Sequence, residues 1–122
     1  MNINIALLIL RVSFSAMLLL LHGVPKVKNL MSDNIQFVNI FGMGEAISLI
    51  LATLAEVVLP ILIIIGYKTR IAAIPIVLVM IVAAFVYHAN DPISVKEKPL
   101  IFLFGFLTIA IAGAGKFSID KK

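Results

Sequence analysis

Four apolar runs, each close to the ~20 residues a helix needs to cross a bilayer's hydrocarbon core, are joined by connections too short to hold a soluble domain. They run about Ile3–Leu21, Ala46–Gly66, Ile71–His88 and Pro99–Ala114. The last two lie at the short end of that range, which tilt and interfacial ends accommodate. Between the second and third lies only "YKTR", a tight turn that makes those helices antiparallel neighbours. "ANDPISVKEK" joins the third and fourth, with Asp91-Pro92 marking the turn. Of 122 residues 62% are hydrophobic and 13% charged, where a soluble domain carries about 25% charged residues. So much apolar surface cannot be hidden within a chain of this size, so lipid must be its solvent. The expected fold is all-α: one domain over residues 1–122, a bundle of four transmembrane helices.

The chain has no cysteine, which removes disulfide exchange and thiolate metal or nucleophile chemistry. Its net charge is +4, but the basic residues flank the apolar runs, so the expected partner is the lipid headgroup layer and not nucleic acid. A cleaved leader is the rival reading of the first run. It lacks a basic segment ahead of it and a small-x-small site behind it, and Arg11 interrupts its apolar stretch.

Between His22 and Glu45, "SDNIQFVNIFG" offers Asp33 as a helix N-cap with Gln36 three residues on, the spacing of a capping box. Ile35, Phe37, Val38, Ile40 and Phe41 follow. This predicts a short helix lying at the membrane interface, ended by Gly42 and Gly44. Lys68, Arg70, Lys116, Lys121 and Lys122 lie on the side of the termini, against Lys26, Lys28, Lys96 and Lys98 on the other. Five against four orients both termini toward the cytoplasm.

The charges within the runs recur at a fixed interval. Arg11 and His22 are eleven residues apart and so share a helix face, about 16 Å apart along the axis, with Ser15 and Leu18 between. Glu45 and Glu56 repeat the interval, with Ser48 and Ala52 between. If the two runs are antiparallel and both end near the surface, His22 falls level with Glu45, and Arg11 level with Glu56. The expectation is a buried Arg11–Glu56 pair, since neither charge can be left against lipid. That pair is either a structural register lock or a functional site. His88 closes the third run on the side of His22, with Glu97, Lys26 and Lys98 nearby. Imidazole and carboxylate suit zinc or iron, but no HxxxH or ExxH spacing supports a metal; proton handling or headgroup recognition is the preferred reading.

Gly105, Ala110, Ala112, Gly113 and Gly115 permit close helix approach in the last run. "GAGKF" has the wrong spacing for a phosphate loop. Pro60 and Pro75 fall inside helices, where a missing hydrogen bond produces a kink.

As a pattern, these residues resemble the DoxX family of small bacterial membrane proteins. The marks are "LLILRVSFSAMLLLLHGVPKV" (Arg11, His22-Gly23, Lys26), "LATLAEVVLPILIIIGYKTRIAA" (Glu56, Gly66, Thr69-Arg70), His88, and "GAGKFSID" (Gly113, Gly115, Ser118, Asp120). Glu97 matches an acidic position often found before the family's fourth helix. The departure is "VVLP" after Glu56, where the family usually has glycines. The resemblance implies a four-helix bundle in a bacterial inner membrane with cytoplasmic termini. It also implies a loose link to redox chemistry, since relatives include a quinone-reducing thiosulfate oxidoreductase subunit and a partner of detoxification enzymes.

Three functions compete: a membrane subunit of a redox assembly that binds quinone, with redox enzymes or further copies of itself as partners; a small proton-coupled transporter using Glu56; and a scaffold without chemistry of its own. The first predicts a cavity between helices one and two, open to the non-cytoplasmic side. Arg11 and Glu56 would form its floor, and His22, Glu45 and His88 its mouth. Ser15, Ser48 and Ala52 would leave room, and Leu18 and Leu49 would hold an apolar ring. Lys26 and Glu97 would complete the polar rim.

Overall fold

In lipid an apolar segment must satisfy its own backbone donors and acceptors, and a helix does so within one strand of chain. A computed structural model describes residues 2–37 and 39–121, and four long helices make up most of them. Helices α1 (Ile3–Leu30), α2 (Glu45–Ile65) and α3 (Thr69–Tyr87) are each long and apolar enough to cross a membrane. Helix α4 (Ile93–Ala112) carries Lys96, Glu97 and Lys98 in its first two turns. The Asn2 side chain caps α1 by accepting the Ile5 N–H at 3.2 Å. Glu45 sits in the first turn of α2, at the positive end of that helix's dipole. Gly66 ends α2 at φ 75°, where a Cβ would also overlap the Ser118 side chain.

α3 and α4 build the core. Ala72, Ala73, Ile76 and Met80 pack against Leu103, Phe106 and Ile109, and Leu18 and Ile63 close the cluster. Phe14 meets Phe102 and Phe106 edge-on at 6.3 Å, and Gly105 gives its ring room. The outside of the bundle is equally apolar. Ile9, Leu20, Leu54, Ile71, Leu78, Phe85, Phe104 and Ile111 are all at least half exposed, and together they belong to every long helix. An apolar exterior of that extent matches hydrocarbon, not water.

Each of α1, α2 and α3 widens once into a π-helical turn: Leu19–Gly23, Leu54–Val58 and Ala83–Tyr87. Pro25 and Pro60 follow the first two within two residues. Proline has no N–H to donate, and its ring crowds the carbonyl four residues back, so a wider turn relieves both. The "VVLP" departure thus begins within the π turn that contains Glu56 and ends at the proline that follows it.

The first helix does not stop near Leu21; it continues through Lys26 and Lys28 to Leu30, 28 residues in all. The interfacial helix from Asp33 does not form: residues 32–37 and 39 are non-helical, and one 3₁₀ turn, Ile40–Gly42, follows. Val38, part of that reading, lies outside the described residues, as does Lys122. An N-cap at Asp33 would need the backbone N–H of Gln36, and Asn29 takes it instead. The Asn29 side chain accepts that N–H at 3.3 Å and donates to the Gln36 carbonyl at 2.8 Å. Farther along the chain, Gly113 and Gly115 do not pack within a helix. Both take positive φ and carry the chain out of α4.

Candidate functional site

The longer α1 resets its register against α2. Gly23 packs on the backbone of Glu56: a Cβ there would overlap the Glu56 carbonyl and lie 2.9 Å from the Val57 side chain. The residue level with Glu56 is therefore Gly23, not Arg11, a shift of twelve residues or about 18 Å along the helix. The expected Arg11–Glu56 pair does not form, and each residue has other partners.

Arg11 is fully buried at the opposite end of the bundle. Its Nε donates to the Ala114 carbonyl at 2.9 Å, Nη1 to Ile63 and Ile64 at 2.8 and 2.9 Å, and Nη2 to Phe117 at 2.6 Å. The last carbonyls of a helix lack intrahelical donors and carry its negative pole, so a guanidinium suits them on both counts. The C-terminal segment completes the arrangement. Ile119 and Asp120 donate their N–H groups to the carbonyls of Ile65 and Gly66 at 3.2 and 2.8 Å. The Asp120 carboxylate accepts the N–H groups of Lys68 and Thr69 at 2.8 and 2.9 Å, capping α3. "GAGKFSID" is thus a clasp that joins α1, α2 and α3, with Arg11 as its pin.

Glu56, 5% exposed, is ion-paired with Lys26 of α1. Lys26 lies one turn beyond His22, and its ammonium also stands 6.0 Å from the centre of the Phe37 ring. This pair lines a cavity of about 810 Å³. His22 and Lys26 come from α1, Ala52 and Glu56 from α2, Ala83 and Tyr87 from α3, and Glu97, Lys98 and Phe102 from α4. Phe37, Phe41 and Met43 of the α1–α2 connection complete the wall. His22 meets Phe102 edge-on at 5.4 Å. The His88 Nδ1 lies 2.7 Å from an Asp91 carboxylate oxygen, which fixes its ring at the rim. The Tyr87 hydroxyl accepts the Phe41 N–H at 3.2 Å and so ties the connection over the opening. The three π turns all border this space or abut a residue that does, and π turns occur frequently at functional sites.

The structure therefore brings His22, Lys26, Glu56, His88 and Glu97 to one cavity and leaves two expected residues out. Arg11 belongs to the clasp, and Glu45 is exposed outside the lining. Nor does the space lie between α1 and α2, which touch at Gly23; it opens toward α3 and α4. Of the expected spacers only Ala52 lines it, while Ser15, Ser48, Leu18 and Leu49 are buried in helix packing. Lys98 was legible only as a nearby flank. Phe37 and Phe41, expected on a short interfacial helix, form part of the wall. Phe102 stands four residues after Lys98, a same-face spacing that places both side by side.

The DoxX family model matches residues 6–89, from the first turn of α1 past the end of α3, and so includes His22, Lys26, Glu56 and His88. A protein of Haemophilus influenzae strain Rd, described as uncharacterized, is 33% identical over 70 residues, covering 54% of this chain and 46% of that protein. The chain thus spans about half the length of the curated relative it matches. No solved structure matches it. With well over half of its length matched and an apolar exterior on every long helix, the chain is membrane-embedded and belongs to the DoxX family.

Proposed function

We propose that this protein is the membrane subunit of a redox assembly and that its cavity binds a quinone-class molecule. All four helices span a bacterial inner membrane with both termini cytoplasmic, so the cavity opens on the far side. The lysine and arginine bias supports that orientation, and a reporter enzyme fused to the C-terminus should show cytoplasmic activity; a periplasmic signal would reverse it.

One observation carries the ligand reading: apolar walls converge on a polar inner end of His22, Lys26 and Glu56. The volume of about 810 Å³ falls within the range of roughly 300–1,000 Å³ typical of small-molecule sites. Met43, Leu78 and Val95 are exposed at its edge and give a lipid-soluble tail an apolar exit. Quinone reduction takes up two electrons and two protons, and the electrons would come from a partner enzyme. The contribution of this chain is to hold the ring between Phe102 and the aliphatic wall and to direct donors at its oxygens. Lys26 supplies N–H groups, and the His22 imidazole can donate or accept a proton at a ring oxygen.

The chain contains no tryptophan, so Tyr87→Trp places a single tryptophan at the cavity rim, which can be excited apart from Tyr67. Titration with a short-tailed ubiquinone should quench it saturably. In that background His22→Ala should weaken binding about tenfold, as loss of one hydrogen bond to the ligand does, and Glu56→Gln should change affinity by releasing Lys26 from its ion pair. Absence of saturable quenching, or equal affinity in all three proteins, would refute a quinone site here. The transporter reading rests on the same Glu56 carboxylate, and substrate-driven proton flux in liposomes without quinone binding would favour it.

A further inference from the structure

The two buried charges of this bundle are held in opposite ways. Arg11 is tied by four backbone carbonyls, which cannot leave. Among the described residues the carboxylate of Glu56 has one ion-pair partner, the ammonium of Lys26, which sits on a flexible four-carbon stem, and His22 lies within reach of its charge. The Glu56 side chain is 7% exposed and that of Lys26 18%, so the lysine is the member of the pair that a ligand entering the cavity reaches first. The lining holds two lysines, Lys26 and Lys98, and two glutamates, Glu56 and Glu97. Its formal charge is zero with both histidines neutral. A proton on Glu56 would leave the lining one positive charge in excess.

We propose that the Lys26–Glu56 pair is an exchangeable clamp for amphiphiles with an acidic head, such as a long-chain carboxylate. The head takes Lys26, and Glu56, left without a counter-charge, takes one proton from solvent through the cavity mouth. Charge balances: one anion and one proton enter together, and no bond other than O–H forms. The apolar tail lies against Leu51, Val79 and Phe102. An isolated carboxylate in so dry a place neutralises instead of remaining ionised, which couples ligand entry to proton entry. The inference rests on the cavity being a ligand site, whichever ligand it serves. The other titratable or charged groups facing it are His22 on α1, Tyr87 and His88 at the end of α3, and Glu97 and Lys98 on α4.

The test is calorimetric titration of the purified protein with decanoate and with decanol, in two buffers of different ionisation enthalpy. Decanoate should bind more tightly than decanol and take up about one proton per molecule bound. Its affinity should then fall as pH rises, at most about tenfold per pH unit, the slope that linkage assigns to one proton. Glu56→Gln should bind decanoate more tightly with no proton uptake, and Lys26→Met should lose the preference for the anion. Equal affinity for acid and alcohol, zero proton uptake in the wild type, or uptake that survives Glu56→Gln would each overturn the clamp. If Glu56→Gln does not fold, the wild-type proton count and the acid–alcohol comparison decide alone. Quinone quenching without acid binding would sink this inference and leave the quinone site standing, and acid binding without quenching would do the reverse.

Discussion

Replacing Arg11 with methionine keeps the volume and apolar stem of the side chain and removes the pin from the clasp. Four hydrogen bonds are lost, of which those to Ala114 and Ile63 are buried and those to Ile64 and Phe117 partly buried. A buried carbonyl left without a donor costs about 1–3 kcal/mol. Ile63 keeps the N–H of Gly66 at 3.1 Å, which places it at the low end, and the partly buried carbonyls can recover water. Loss of a cation at the negative pole of α2 adds about 0.3–2 kcal/mol. The sum is about 3–5 kcal/mol, the scale on which removing one member of a buried charged network destabilises a protein. Because the wild type lacks tryptophan, the assay is circular dichroism across an SDS titration in mild detergent. Hydrogen exchange should report the same event locally, with faster exchange at Ile119 and Asp120, whose N–H groups are bonded in the clasp. A loss below about 1 kcal/mol, or unchanged exchange at those amides, would refute this role for Arg11.

A double-mutant cycle of Lys26→Met and Glu56→Gln should show coupling of about 1 kcal/mol or more, while Arg11→Met and Glu56→Gln should add within about 0.5 kcal/mol; the opposite pattern would restore the Arg11–Glu56 pair. Gly23→Ala should separate α1 from α2 and cost about 1–3 kcal/mol, read by the same SDS titration, whereas a neutral outcome would mean the helices do not touch there. Asp120→Ala should remove the cap from α3 and cost about 0.5–2 kcal/mol, and Asp120→Asn should recover part of it.

Helix number and the apolar exterior were legible because they follow from run length and composition, which depend on no particular partner. Of the residues expected at the polar end, His22, Lys26, Glu56, His88 and Glu97 line the cavity and Glu45 does not. What failed was register. Eleven-residue spacing assumes an unbroken α-helical period from Arg11 to His22, whereas a π turn at Leu19–Gly23 intervenes, and the level of α1 against α2 depends on where α1 ends. Lys26 and Lys28 read as the surface, although a lysine stem can carry its charge well away from its own backbone. Lys26 uses that reach to meet Glu56. The capping box at Asp33 was a sound local signal overridden by Asn29, seven residues before Gln36, and no short-range pattern reveals that competition. The clasp was hidden for a similar reason, since the partners of Arg11 are carbonyls and every residue has one.

The central claim, that the cavity beside Lys26 and Glu56 holds a quinone, is tested most directly by what the protein carries out of its own membrane. Wild type and Ala52→Phe, purified in mild detergent from the same host, would be extracted and their lipid-soluble contents identified by mass spectrometry. Ala52 lines the cavity, and a phenyl ring there narrows it from the helix face that carries Glu56 one turn on, while leaving the clasp at the other end of the bundle untouched. Near-stoichiometric quinone is expected from the wild type and a loss of most of it from Ala52→Phe, with helical content unchanged. Equal quinone from both proteins, or none from the wild type, would contradict it.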